Sequence, residues 1–83
     1  MIQELDTVVL NHNLAEYGLE KGDVGAVVYC YKDQEAWEVE FVTASCSTIA
    51  VLTLTSQNIR AMKNKDILHV REFVKMGDEK RLC

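Results

Sequence analysis

The sequence predicts an all-β domain, and three segments carry this prediction. In AWEVEF (36–41) apolar and acidic residues alternate with a period of two, which is typical of a half-buried antiparallel strand. The runs VGAVVYCY (24–31) and TIAVLTLT (48–55) are rich in β-branched, aromatic and aliphatic residues, as strands are. The 83 residues contain no internal repeat, low-complexity tract or linker, so we predict one domain.

The remaining elements follow from composition and turn-forming residues. DTVVL (6–10) is a short β-branched run and predicts the first strand. The polar segment 11–23, with its Asn, Gly and Asp residues, predicts a long first loop. Turns are predicted at KDQE (32–35) and at TASCS (43–47).

The last third of the chain predicts a turn and one or two further strands. SQN (56–58) predicts a single helical turn capped by Ser56, followed by a short closing strand in IRAM (59–62). ILHVREF (67–73) fits a sixth strand or a helical turn, and we favour the strand. Residues 76–83 predict a flexible, charged C-terminal tail.

Five to six short antiparallel strands, a long first loop and a helical turn before the closing strand predict a small SH3-like barrel over residues 1–75. A five-stranded OB-type barrel is the alternative, but the chain is short for it and lacks its helix. Gly22 and Gly25 flank the start of a strand that must bend to serve two parts of a small barrel. Glycine suits such a bend because it accepts positive φ and lets another chain segment approach closely.

The glycine segment also carries a resemblance. KGDVGAV (21–27) matches K-G-x-x-G-x-V and resembles the core of the KOW motif of SH3-like domains in ribosomal proteins and transcription factors. DTVVL resembles the first strand of that motif, although the loop between the two is longer here. The resemblance implies the barrel and keeps RNA binding as an alternative function.

A wider resemblance covers most of the chain. The D-x-V-V-L start, the centre GLEKGDVGAVV (18–28), the W-E-V-E-F strand, AVLTLTSQNIR (50–60) and ILHVREF (67–73) resemble the small bacterial domain-of-unknown-function family 4926. Members often carry proline in the first loop and after the arginine that Arg60 matches, whereas this chain has no proline. The resemblance implies the barrel-like fold and a small accessory or partner protein, and it brings no catalytic residues.

Charge is distributed unevenly along the chain. Residues 1–42 carry two bases and nine acids, 2 − 9 = −7, whereas residues 43–83 carry seven bases and four acids, 7 − 4 = +3. The net charge of −4 argues against non-specific nucleic-acid binding, which requires Lys and Arg to neutralise phosphates. The start MIQELDTVVL lacks the basic region and long apolar core of a signal peptide, so we predict a cytoplasmic protein.

No residue pattern predicts catalysis, a metal or a cofactor. His12 and His69 lack a ligand partner at helical spacing, and GLEKGDVG leads into a strand rather than the helix of a phosphate-binding loop. Cys30, Cys46 and Cys83 form neither an even set nor a C-x-x-C pair, so we predict reduced thiols, with Cys30 in the core. The chain is therefore predicted not to be an enzyme.

Two surfaces are candidate sites. The acidic face comprises Asp33, Glu35, Glu38 and Glu40, with Tyr29 or Tyr31 at its edge. It fits either a basic partner protein or a solubilising face that prevents aggregation through strand edges. The basic segment comprises Arg60, Lys63, Lys65 and Arg71, which fit RNA or an acidic partner. Trp37 shares its strand face with other apolar residues and is predicted to be core.

These observations predict a protein-binding module, monomeric or homodimeric, that does not associate with membranes. We expect an accessory or antitoxin/immunity-like partner that covers the positively charged cleft of a basic protein encoded nearby. The alternative is a KOW-like nucleic-acid-binding domain that uses the basic segment at 60–71. A fold alone does not distinguish these functions.

Overall fold

The computed structural model describes residues 2–32, 35–68 and 70–73 and shows that they form an all-β domain. A single 3-10 turn, Ala15–Tyr17, is the one helical element among these residues. The strands are β1 (Thr7–Leu10), β2 (Val24–Cys30), β3 (Ala36–Val42), β4 (Thr48–Thr55) and β5 (Ile59–Ala61).

The five strands form one antiparallel sheet in the order β4-β3-β2-β1-β5. The first strand lies between the second and the last, with Val8 opposite Gly25 on one side and Ala61 on the other. The sheet therefore has β4 and β5 as its edge strands. The predicted fold, a small SH3-like barrel of five antiparallel strands, is confirmed.

Two details of the prediction differ from the structure. Of the segment predicted as a sixth strand, residues 67, 68 and 70–73 form no regular secondary structure, and Ile67 and Val70 are 94% and 92% exposed. These two side chains face solvent and not the core, so the apolar pattern there does not indicate a strand. His69 and the predicted tail at 76–83 lie outside the described residues.

The segment 56–58 is a hydrogen-bonded turn rather than a helical one. The Asn58 N–H donates to the Thr55 carbonyl at 2.9 Å, and the Asn58 side-chain oxygen accepts from the Thr55 N–H at 2.8 Å. Asn58, and not the predicted Ser56, therefore supplies the side chain that closes this turn. The asparagine side chain mimics a backbone acceptor, as is common in tight turns.

One side of the sheet carries the hydrophobic core. Trp37 is buried as predicted, and its indole N–H donates to the Ile2 carbonyl oxygen at 3.2 Å, which fastens the N-terminal segment to the sheet. Burial of an indole is stable only when its N–H finds such a partner. The core residues are Val8, Leu10, Leu19, Val27, Trp37, Val39, Phe41, Leu54 and Ile59.

The first loop is ordered by its own hydrogen bonds. Leu14 and Leu19 form an isolated antiparallel bridge around the 3-10 turn, which ends at Gly18 in the left-handed conformation, with φ 74°. Leu19 is only 2% exposed and belongs to the core cluster. The loop thus folds back on itself, and Leu19 in the core, with Leu14 packed against it, anchors the loop to the barrel.

Gly22 and Gly25 serve different structural purposes. Gly22 has a φ of 97°, a conformation that residues with a side chain rarely adopt. Gly25 lies in β2, where a Cβ atom would come within 2.7 Å of Val39 Cγ1 and 2.8 Å of Phe41 Cε1. The first glycine therefore allows the turn into β2, and the second allows β3 to pack directly against the β2 backbone.

The cysteines differ in their chemical state. Cys30 carries a thiol that packs against the core, as predicted. Cys46 is disulfide-bonded, so the prediction of a reduced thiol is wrong at that position. The argument from an odd cysteine count failed because a chain with an odd number of cysteines can still form one disulfide. Cys83 lies outside the described residues. Among the segments described, none is a helix long and apolar enough to traverse a lipid bilayer.

We expect Gly25→Ala to destabilise the domain by about 1–3 kcal/mol, because its Cβ would overlap the Val39 and Phe41 side chains. In a domain of this size, each kcal/mol lowers Tm by about 4–8 °C. Urea and thermal unfolding followed by circular dichroism measure the change. Ala26→Val is the matched control, because Ala26 is the next residue of β2 and is exposed. Equal stability of Gly25→Ala and the wild type would contradict the close-packing argument.

Candidate partner-binding face

The acidic residues of β3 face solvent because their neighbours face the core. Trp37, Val39 and Phe41 are buried, whereas Glu38 and Glu40 between them are partly exposed. Successive side chains of a strand point to opposite sides of the sheet, so the two carboxylates share its outer side. We call the solvent-facing side of β2, β3 and β4 around these two residues the outer face.

Glu38 is held in place by two hydroxyl groups. The Tyr31 and Thr53 hydroxyls both donate to Glu38 Oε2, each at 2.6 Å. Thr53 is also the residue directly opposite Glu38 in the β3–β4 register. The hydrogen bond from Thr53, followed by that from Tyr31, lowers the pKa of Glu38 below its ordinary value of 4.5. The two hydrogen bonds therefore orient the Glu38 carboxylate and favour its charged form.

The same contact affects the tyrosine. The hydrogen bond from Tyr31 to the Glu38 carboxylate raises the pKa of the phenol above 10.0, because ionisation would break that bond and place two negative charges together. Tyr31 thus remains a hydrogen-bond donor at neutral pH. Its hydroxyl orients Glu38.

Glu40 lies beside Glu38 and accepts fewer hydrogen bonds. Its Oε2 accepts one hydrogen bond, from the Thr48 hydroxyl at 3.0 Å, and Val51 lies opposite it in β4. Within residues 2–32, 35–68 and 70–73, no Lys, Arg or His forms an ion pair with Glu38 or Glu40. The outer face therefore carries two adjacent negative charges that no cation in this part of the chain neutralises.

Aromatic and aliphatic side chains surround the carboxylates. Tyr29 lies opposite Glu38 in β2, and its ring meets that of Tyr31 edge-on, with centroids 4.9 Å apart at 81°. Tyr29, Val42 and Val51 are each about half exposed, at 48%, 48% and 50%. Exposed tyrosine and valine beside fixed charges form the kind of mixed surface found in protein interfaces.

The other predicted members of the acidic face have different outcomes. Glu35 is exposed just before β3 begins, and Asp33 lies outside the described residues. Sequence reasoning missed Thr48 and Thr53, which donate to the two glutamates from β4. Their contacts with β3 depend on the strand register, including its shift between Phe41 and Val42, which alternation within TIAVLTLT does not predict.

Two of the four residues predicted as a basic segment, Arg60 and Arg71, are paired with acids. Arg60 donates to both oxygens of Asp66, at 2.8 and 3.2 Å, and this hydrogen bonding lowers the pKa of Asp66. Lys63 and Lys65 are exposed in the loop that follows β5. A bidentate arginine–carboxylate pair leaves little net positive charge for a phosphate.

Arg71 lies apart from Arg60 and fastens a later segment to the first loop. Its guanidinium donates to Asp23 Oδ1 at 2.9 Å, to Asp23 Oδ2 at 2.6 Å and to the Gly18 carbonyl at 2.9 Å. Glu20 contributes a further carboxylate at 3.6 Å, and these acids raise the pKa of Arg71. Arg71 is therefore a structural clamp on the first loop and not a free basic side chain.

The histidine that the structure describes is engaged in local contacts. Asn58 Nδ2 lies 2.9 Å from His12 Nε2, and His12 Nδ1 lies 3.1 Å from the Asn13 carbonyl oxygen. Among the described residues, no group of three or more His, Cys, Asp or Glu side chains is arranged to hold a metal ion.

Comparison with known proteins gives one family. The family model described as "Domain of unknown function (DUF4926)" matches residues 4–61, which is more than half of the chain and includes all five strands. The segment 67–73 lies beyond the match. No curated protein and no solved structure matches the chain.

We expect Thr53→Val to raise the pKa of Glu38 toward 4.5, and Tyr31→Phe to raise it by less, because the Thr53 hydrogen bond is the larger cause of the shift. A folded-state pKa below the ordinary value means that these hydrogen bonds stabilise the domain above that value and are lost as pH falls through the folded pKa. Carbon-13 NMR titration of the Glu38 carboxyl measures its pKa in each of the two variants. Thr48→Val, which removes a hydroxyl from Glu40 instead, is the control and should leave the Glu38 titration unchanged.

We expect Arg71→Ala to cost about 1.5–3 kcal/mol of stability, because it removes charged hydrogen bonds from Asp23, whose side chain is 11% exposed. Urea unfolding measures the loss, and Lys65→Ala, a substitution of an exposed base, should change stability by less than about 0.5 kcal/mol. Equal effects of the two substitutions would show that Arg71 does not clamp the loop.

Proposed function

The chain belongs to the DUF4926 family, and we propose that it acts as a small protein-binding module, not an enzyme, whose outer face binds a basic segment of a partner protein. Within this class we favour an accessory or antitoxin/immunity-like role, in which the module covers a positively charged cleft of a partner encoded nearby. The observation that carries the proposal is the pair Glu38 and Glu40, two neighbouring carboxylates of the outer face that form no ion pair with a cation among the described residues.

The carboxylates retain acceptor capacity for a partner. Both hydroxyl bonds to Glu38 and the one to Glu40 use Oε2, so that Oε1 of each side chain has no hydrogen bond from the described residues. An ionised carboxylate has about four acceptor positions. An arginine or lysine of a partner would form charge-assisted hydrogen bonds there, which are about twice as strong as neutral ones.

Preorganisation supports binding at this face. Glu38 is already held by Tyr31 and Thr53, so that a partner would not have to immobilise a mobile glutamate. Ordering a flexible side chain on binding costs about 0.5–1.5 kcal/mol, and this cost is avoided when the free protein has ordered it. Tyr29 and Val51 offer apolar area beside the charges, and an aromatic ring also attracts a cation over its face.

The charge distribution favours a basic protein over a nucleic acid. The outer face would repel phosphates, and the two arginines of the 60–71 segment are engaged with Asp66 and Asp23. Opposite charges on two proteins mainly raise the association rate, and this effect weakens as salt screens the charges. A cytoplasmic location stays a prediction from the sequence.

We expect the double substitution Glu38→Lys with Glu40→Lys to abolish capture of a basic protein from the native cells by the tagged chain. The complex of the wild type should form at low salt and weaken at moderate salt. Mass spectrometry of the captured protein, together with isolation of any RNA, identifies the bound class. Circular dichroism of each variant confirms that it is folded.

The matched control is Lys63→Glu with Lys65→Glu, which changes the net charge by the same magnitude and the opposite sign on another part of the surface. It should retain the partner. If the control variant loses binding while the Glu38/Glu40 variant keeps it, or if RNA alone is recovered, the acidic face is not the binding site and the nucleic-acid alternative replaces the proposal.

A further inference from the structure

The two edges of the sheet differ in how they are protected. Edge strand β5 has three residues, includes Arg60, and is followed by the loop that Asp66 closes. Edge strand β4 has eight residues, TIAVLTLT, with no charged residue and no proline. Native proteins shield exposed edges with short strands, charges or proline. The β5 edge is short and carries a charge, whereas β4 has none of these protecting features.

The backbone groups on the open side of β4 can be assigned from the register. The Ala36 carbonyl accepts from Tyr31, so Ala36 directs its backbone groups toward β2, and by alternation Trp37 and Val39 direct theirs toward β4. Their opposite residues, Leu54 and Leu52, therefore face β3. Val51 and Thr53 direct their N–H and C=O groups away from the sheet, where no strand of the described residues pairs with them.

We infer that the β4 edge receives an extended segment of the basic partner as a sixth strand of the sheet, an inference that rests on the proposed function of the outer face. The backbone of the added segment would exchange hydrogen bonds with Val51 and Thr53. The side chains opposite these two residues lie on the outer face, on the same side as Glu38 and Glu40.

Charge complementarity identifies the occupant of this edge. Strands are about 4.8 Å apart, so an added strand lies roughly 10 Å from β3, a gap that an arginine or lysine and a glutamate bridge from both sides. Glu38 and Glu40 are two positions apart in β3, matching Thr53 and Val51 in β4. The partner segment should therefore carry basic residues at alternate positions, with apolar or small residues between them.

A second copy of this chain fits the edge less well. Antiparallel pairing of β4 with its counterpart would join two outer faces into one continuous sheet and place both acidic pairs on the same side. Each chain carries a net charge of −4, so the pairing would bring together like charges. Two chains with net charges of the same sign repel each other, most strongly at low ionic strength.

A synthetic octapeptide that alternates arginine and valine, acetylated and amidated at its ends, tests the inference. In an antiparallel added strand, the residues opposite Val51 and Thr53 are the arginines, and their N–H groups point at β4. N-methylation of the arginine amides should therefore abolish binding, whereas N-methylation of the valine amides, which point away, should preserve it. Fluorescence anisotropy measures affinity, and NMR hydrogen exchange should show new protection of the Val51 and Thr53 amides.

Substitutions in the protein give the matching result. Val51→Pro removes an outward N–H without removing a bond to β3 and should weaken peptide binding by about tenfold, the effect of one lost hydrogen bond. Val51→Thr keeps the N–H and should change binding by no more than about twofold. Circular dichroism confirms that both variants are folded.

The outcomes separate this inference from the proposed function. One outcome would overturn strand addition and leave the outer face as the binding site. In that outcome the Glu38→Lys, Glu40→Lys variant loses peptide binding, whereas neither N-methylation pattern nor Val51→Pro changes it. Absence of peptide binding at about 1 mM would overturn strand addition, and the lysate experiment then judges the outer face separately. A wild-type dimer that Val51→Pro converts to a monomer would assign the edge to a second copy and overturn the inference.

Discussion

The packing of two β3 side chains against the β2 backbone at Gly25 is the constraint on which the rest of the structure depends. Because Gly25 has no Cβ, the Val39 and Phe41 side chains pack where that atom would lie. Gly25 also lies opposite Val8 of β1, so the contact sits where the inner strands of the sheet meet the core. Once β3 is held with Val39 and Phe41 inward, the side-chain period of two fixes Glu38 and Glu40 outward. The position of the charged face thus follows from a packing requirement at one glycine.

The sequence predicted the strands well because burial of one face of a strand makes apolar and polar residues alternate along the chain. AWEVEF gave both the strand and its orientation, and the prediction placed Trp37 in the core, where the structure has it. The segment 67–73 carries similar apolar residues but no strand in its described part, where Ile67 and Val70 face solvent and not the core. Alternation alone does not report whether a strand finds a partner.

The contacts that define the candidate face depend on pairing between distant residues, which a single sequence does not encode directly. The prediction placed Glu38 and Glu40 on one face with the tyrosines near it, but Thr53, 15 residues from Glu38, was missed. The basic segment was read as one unit because its four bases are close in the sequence. In the folded chain Arg71 instead meets Asp23, 48 residues away, and Arg60 meets Asp66. Both arginines are therefore paired with acids. Glu38 and Glu40 of the outer face, by contrast, form no ion pair with a described residue.

Thr53 links the charge of the outer face to the open edge of the sheet. Its hydroxyl orients Glu38, while its backbone groups point away from β3 at the edge. A hydroxyl that is committed to Glu38 does not compete for the backbone of an incoming strand, so the two functions of this residue do not interfere. A strand paired with the Thr53 backbone would also exclude water from one side of the Thr53–Glu38 hydrogen bond and strengthen it, since hydrogen bonds gain electrostatic strength where the local dielectric falls. Backbone pairing and charge recognition would then reinforce one another, so that a segment offering only a strand or only a positive charge would bind less tightly than one offering both.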